Sequence, residues 1–169
     1  SKDDLVRLLN ISQEDELIAL FDKAYSVKLE NVGDEVYFRG IIEFSNICAK
    51  NCYYCGIRKD NPNVERFMMT LDEIESTAKW IYENDYGSLV LQSGERRDEN
   101  FVAFVEEALR RIKKISNNEL GVTISLGEQS KETYQRWFDA GAHRYLIRIE
   151  TSNEKLYRSL HPQDHDFNE

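Results

Sequence analysis

Cys48, Cys52 and Cys55 fall within the octapeptide CAKNCYYC, and the other 161 positions carry no cysteine. Thiolates gathered this closely bind soft or borderline metals, zinc or iron–sulfur clusters, or serve as redox groups. An odd number leaves one thiol over in any disulfide framework, and the spacing is too short to staple a fold. A redox disulfide between Cys52 and Cys55 would want a helix starting at Cys52, and Cys48 would have no role. A closed zinc site wants a fourth ligand, which would have to be His143, His161 or His165, all far down the chain. Core cysteines fit poorly, because Ala49, Lys50 and Asn51 make a polar spacer. A 4Fe–4S cluster supplies a physical reason for three: each thiolate takes one iron, and the remaining iron stays open to a substrate or cosubstrate.

Further polar groups recur after apolar runs. Gln92-Ser93-Gly94-Glu95 follows SLVLQ, and Ser125, Gly127 and Glu128 close or follow GVTISL. Taken alone, each is an ordinary loop. Arg148 and Glu150 flank Ile149 within RYLIRIET, and a strand's period of two puts both on one face. Turned inward, such charges must pair with each other or with a ligand, because lone buried charge is costly.

The elements that would carry these groups alternate. Residues 1–34 read as a helical extension, with Ser12 as a cap and Leu17, Leu20, Phe21 and Ala24 on the apolar face. Residues 35–169 then read as four β–α units. The expected strands are VYFRGIIEF (36–44), SLVLQ (88–92), GVTISL (121–126) and RYLIRIET (144–151). The expected helices begin at the Thr70–Glu73 capping box, at FVAFVEEALRRIKKI (101–115), after Ser130 with an end near Gly141, and at NEKLYRSL (153–160). The fold class is α/β with a parallel sheet and right-handed crossovers. Doubly wound sheets and β/α barrels both fit, and both put chemistry at the carboxyl ends of the strands. The cysteines follow the first strand, at that end.

A net charge of −9 and a pI near 5.0 argue against nucleic acid, whose phosphates need clustered Lys and Arg. Arg110-Arg111 and Lys113-Lys114 read as solvated helix faces. No apolar run is long enough for a membrane span. The opening SKDDLVRLLN has no apolar signal core, so a cytoplasmic location is expected.

C-x3-C-x-aromatic-C, with Tyr54 as the aromatic residue, resembles the radical S-adenosylmethionine (radical SAM) superfamily. The likeness implies a partial (β/α) barrel of the TIM-like type, a 4Fe–4S cluster on Cys48, Cys52 and Cys55, and S-adenosylmethionine as cosubstrate. The open iron would chelate the amino and carboxylate groups of that cosubstrate. Reductive cleavage of the sulfonium would yield methionine and a 5′-deoxyadenosyl radical, and no side chain of this chain is expected to be catalytic. The same resemblance implies that Gln92, Ser93, Gly94 and Glu95 hold the methionine ammonium. Ser125, Arg148 and Glu150 would contact the rest of the cosubstrate, with Glu150 at the ribose hydroxyls. Tyr54 would shield the cluster and offer its backbone to the adenine. Arg58 and Lys59 would guide an anionic electron donor, a reduced ferredoxin or flavodoxin, or simply be solvated; Met68 and Met69 read as packing residues.

Wider stretches, YFRGIIEFSNICAKNCYYCGIRKDN, VLQSGE, TISLGE, RYLIRIET and the closing FNE, resemble the HydE type of FeFe-hydrogenase maturase. Biotin synthase and methylornithine synthase are related branches and give alternative substrates, and a non-catalytic metal-binding module is a further alternative. The maturase likeness implies a small iron- or sulfur-containing substrate and work alongside other hydrogenase maturases. The superfamily core has six β–α units and this sequence shows four, so the chain as it stands is expected to be inactive alone.

Overall fold

The computed structural model describes residues 1–162 and 165–167. The chain divides into two compact units, Ser1–Tyr37 and Phe38–Glu169.

The first unit holds α1 (Lys2–Leu9) and α2 (Glu14–Val32). Ser1 caps α1 in a capping box with Asp4. Ser12 does not cap α2, contrary to expectation: the cap is Gln13, which makes no side-chain cap bond. Glu14, Asp15 and Glu16 in the first turn offset the positive helix end by charge instead. Neither helix buries a residue. Leu17 and Leu20 are half-buried, while Phe21 and Ala24 of the expected apolar face are exposed.

The second unit is a four-stranded parallel sheet in the order β1 (Gly40–Ser45), β2 (Ser88–Ser93), β3 (Gly121–Ser125), β4 (Arg144–Tyr145). Sequential order without reversal is that of a barrel wall, not of a doubly wound sheet. Pairing of β1 with β2 begins at Gly40–Leu89. Residues 36–39, expected to be strand, therefore precede any partner; Val36, Tyr37 and Phe38 stay exposed. At the far edge β4 is equally short. It pairs with β3 only through Arg144 and Tyr145 and adds one backbone bond from Leu146 N to the Ile124 oxygen. The expected strand over 144–151 thus ends at Tyr145, because residues 146–151 have no neighbouring strand among the described residues.

Helices α3 (Leu71–Glu83), α4 (Glu99–Ile115), α5 (Lys131–Asp139) and α6 (Glu154–Leu160) follow the strands in turn. Thr70 with Glu73, Asp98, Ser130 and Asn153 cap them through side-chain oxygens. The apolar faces of α3, α4 and α5 close over one side of the sheet. Ile74, Ala78 and Ile81 meet Ile42 and Phe44; Phe101, Val105, Leu109 and Ile112 meet Leu89, Leu91 and Val122 in one core. Trp137 of α5 is fully buried, and its indole N–H donates to the Val102 oxygen at 3.0 Å. Gly40 lets α3 approach β1, since a Cβ there would lie 2.5 Å from Ile81 Cδ1. Ile41 and Glu43 point to the other side of the sheet and are exposed. Among the described residues, no helix is long and apolar enough to cross a membrane.

Candidate functional site

The strand tips converge on a cleft of about 430 Å³, lined by the three cysteines and all eight residues expected to contact the cosubstrate. Cys48, Cys52, Cys55 and Tyr54 come from the loop after β1. Gln92, Ser93, Gly94 and Glu95 come from the β2 tip, Ser125 from the β3 tip, and Arg148 and Glu150 from the segment after β4.

The cysteine loop is built by polar side chains that bond backbone. Asn46 donates to the Glu65 oxygen and accepts from Phe67 N, and Ser45 Oγ donates to the Phe67 oxygen. Asn51 clasps Asp60 in both directions, and Asn61 donates to the Gly56 oxygen. Arg66, which sequence reasoning missed, supplies the largest bracket. Its guanidinium donates to the oxygens of Asn46 (2.7 Å), Ile57 (2.8 Å), Arg58 (2.6 Å) and Lys59 (3.3 Å). Arg58 itself donates to the Cys55 oxygen.

The loop is clamped to the β2 tip. Ala49 N donates to the Glu95 oxygen at 2.8 Å, and Gly94 N donates to the Ser45 oxygen at 3.2 Å. A Cβ on Gly94 would sit 2.5 Å from the Ile47 oxygen and 2.7 Å from Cys48 Cβ. Only glycine permits that approach.

The three thiols are free and partly buried. Lys50 N points at Cys48 Sγ from 3.4 Å, a backbone donor of the kind that supports a thiolate. His165 Nε2 lies 3.3 Å from Cys52 Sγ. Burial pushes the Cys52 thiol up from its ordinary value, a nearby Tyr54 hydroxyl opposes that, and the charges of Cys55 and Cys48 add to it. Three mutually repelling thiolates are what a cationic metal centre offsets. Among the described residues, no three His, Cys, Asp or Glu side chains converge on one ion position. Three thiols on one loop form a donor set of the kind that holds an iron–sulfur cluster.

Beside the cysteines lies a charge network. Lys50 Nζ sits 3.8 Å from Glu95 and 3.5 Å from Glu128; Arg97 bonds Glu95 at 3.1 Å and Glu128 at 3.0 Å. Glu95 also accepts from Glu128 N. Gly127 has φ of 74°, and a Cβ there would collide with the Glu95 carboxylate at 2.3 Å. Lys50 and Arg97 were not singled out from the sequence, although both sit within two residues of groups that were. Gln92 donates to Glu43 Oε1 at 3.2 Å across the β1–β2 register.

Arg148 and Glu150 line the cleft, but not as an inward pair on a strand. Both are exposed, no ion pair joins them among the described residues, and Glu150 has φ of 60°, a left-handed conformation uncommon outside glycine. Alternation lapses where pairing stops: Thr151 N turns back to the Ile149 oxygen at 2.7 Å.

Comparisons with known proteins agree with this architecture. The chain is 46% identical over 145 residues to the [FeFe] hydrogenase maturase subunit HydE of Thermotoga maritima, covering 85% of this chain and 40% of that protein. It is 28% identical over 167 residues to 3-methylornithine synthase of Methanosarcina acetivorans, covering 95% of this chain and 45% of that one. The crystal structure of methylornithine synthase (PylB) superposes with a TM-score of 0.86 at 26% identity, over 99% of this chain and 49% of that structure. The chain therefore spans less than half the length of these relatives. The profile of the radical SAM superfamily matches residues 42–169, from β1 through the cysteine loop and every strand tip, and the chain belongs to that superfamily.

Proposed function

We propose that the protein is a radical SAM enzyme of FeFe-hydrogenase maturation, with Cys48, Cys52 and Cys55 holding a 4Fe–4S cluster and the cleft beside them holding S-adenosylmethionine. A cluster held by Cys48, Cys52 and Cys55 would supply the reducing electron for cleavage of the cosubstrate's sulfonium, the chemistry general to this superfamily. The residues of this chain bind and orient. Gly94 and Glu95 present a backbone oxygen, a carboxylate and room for the methionine ammonium, which joins the charge network of Glu128, Lys50 and Arg97. Ser93 and Gln92 add donors and acceptors on the same tip. Ser125, beside Gln92 in the β2–β3 register, and Arg148 and Glu150 after β4 would contact the carboxylate and ribose. Tyr54 covers the cysteines and limits water. Arg58 and Lys59 give an anionic ferredoxin or flavodoxin a basic approach.

The observation that carries the reading is the clamp between the two tips: Ala49 N on the Glu95 oxygen, with Gly94 against Cys48. It holds thiolates and an ammonium-binding carboxylate on adjoining walls of one cleft, as a cosubstrate bound through its amino acid end requires. The maturation role rests on the likeness to HydE, and its substrate would be a small iron- or sulfur-containing compound. Complementation tests it. The complete protein should restore hydrogenase activity to a host lacking its own HydE; restored biotin synthesis in a biotin-synthase-deficient host, without hydrogenase rescue, would overturn the assignment.

A further inference from the structure

Glu95 is the carboxylate that the reading above gives to the cosubstrate ammonium, and its side chain is 11% exposed. What fixes its plane comes from the next strand tip. Arg97 Nε donates to Glu95 Oε1 at 3.1 Å and, through the same N–H, to the Glu128 backbone oxygen at 2.9 Å. Arg97 Nη2 donates to Glu128 Oε2 at 3.0 Å. Glu128 N donates to the other oxygen of Glu95, Oε2, at 3.1 Å. Gly127, at φ of 74°, lets Glu95 lie against that loop. The loop is itself held fast. Gln129 Nε2 donates to the Arg96 and Leu126 oxygens at 2.9 and 3.0 Å, Gln129 N donates to the Tyr134 hydroxyl, and the Tyr145 hydroxyl donates to the Gly127 oxygen at 2.6 Å.

An ionised carboxylate offers about four acceptor positions. This clasp fills one on each oxygen of Glu95. Lys50 Nζ, 3.8 Å from Oε1, stands beyond hydrogen-bond reach. The second lone pair of each oxygen therefore has no donor among the described residues, and Glu95 lines the cleft. We propose that Arg97 is a positioning residue: it ties Glu95 to the β3 tip, so that the carboxylate keeps free lone pairs for the ammonium of an amino-acid ligand instead of turning onto Lys50. The effect runs against simple electrostatics. Arg97 is a cation beside a cation-binding carboxylate, and by charge alone its removal would tighten ammonium binding. By position, its removal weakens that binding, because Oε1 is then free to close on Lys50. The Arg97 side chain is 46% exposed, so the fold loses little without it. The inference rests on the proposed cosubstrate site and adds the residue that aims its carboxylate.

The test is equilibrium binding of two probes to the cluster-loaded, full-length protein. One is S-adenosylmethionine; the other is 5′-methylthioadenosine, which keeps the adenosyl thioether but lacks the amino acid end. Arg97→Gln should weaken S-adenosylmethionine binding about tenfold, the scale of one charge-assisted hydrogen bond. It should leave methylthioadenosine binding and iron content unchanged. Arg97→Lys keeps the charge but cannot serve Glu95 and both Glu128 acceptors at once, so it should resemble Arg97→Gln. Tighter or unchanged S-adenosylmethionine binding in Arg97→Gln overturns the inference, because charge alone would then govern. Wild-type affinity in Arg97→Lys overturns it too, since a cation without the fork would suffice. An equal loss for both probes also overturns it, being the mark of a merely structural role. A wild type that binds the two probes equally well overturns the amino-acid subsite of the proposed function, a result read before any variant is made.

Discussion

The loop after β1 and the segment after β4 reach the same cleft, yet they are held in different ways. The first is closed on every side: Arg66 gathers four of its carbonyls, Asn46 and Asn51 tie its turns, and the β2 tip clamps it through Gly94 and Glu95. Among the described residues, the second has no sheet partner beyond Leu146. It leaves Ile149 80% exposed and Glu150 in a left-handed conformation. The lesson is that the cysteine end of the cleft is preorganised by this sheet and its loops, whereas the segment after β4 has no strand beside it among the described residues.

Replacing any one cysteine of the loop by Ala should break the contrast most sharply. Iron loading should collapse to background, because the remaining pair of thiolates cannot grip a cube. Arg66→Ala comes next. It orphans carbonyls that now receive charge-assisted bonds, each worth about 1.5–3 kcal/mol. Iron retention should fall steeply, and Arg66→Lys should recover little, because an ammonium cannot span the same fork. Gly94→Ala forces backbone and Cys48 apart; overpacking of this kind costs about 1–3 kcal/mol, readable in chemical denaturation and in slower cluster assembly.

Smaller effects sharpen the other side. Glu106 joins α4 to α5, and its bonds to Arg110 and then Arg136 hold its carboxyl below the usual range. A lowered folded value means stability that is present above the unfolded value of about 4.3 and lost as pH falls through the folded one. Glu106→Gln should therefore cost about 0.5–1 kcal/mol at neutral pH, since both arginines are substantially exposed, and should flatten the acid limb of the unfolding curve. Ile149→Ser, on the open segment, should change stability by less than about 0.5 kcal/mol. A large loss there would mean that the β4 tip is as well supported as the cysteine loop, and the comparison would fail.

The same division explains what the sequence made legible. The cysteines, the capping residues Thr70 and Ser130, and the short apolar runs of β2 and β3 are local patterns, and a reader of the chain finds them. Residues 36–39 and 146–151 carry strand-like patterns too, but a strand needs a neighbour, and pairing is not written in the segment itself. Arg148 and Glu150 were expected on one face of a strand for that reason, whereas they line the cleft from an unpaired, exposed segment. Ser12 lost its cap to the acidic first turn of α2, which serves the same end by charge. Arg66 left no signal, and His161 was weighed only as a fourth zinc ligand. One acts on backbone carbonyls, and the other meets Tyr54 across 107 residues of sequence.

Anaerobic reconstitution with iron and sulfide, then addition of S-adenosylmethionine, tests the central claim most directly. The account predicts about four irons and four sulfides per chain, absorption near about 400 nm, and a spectrum that changes when the cosubstrate is added. One bound zinc without iron, or a cluster indifferent to S-adenosylmethionine, would contradict it.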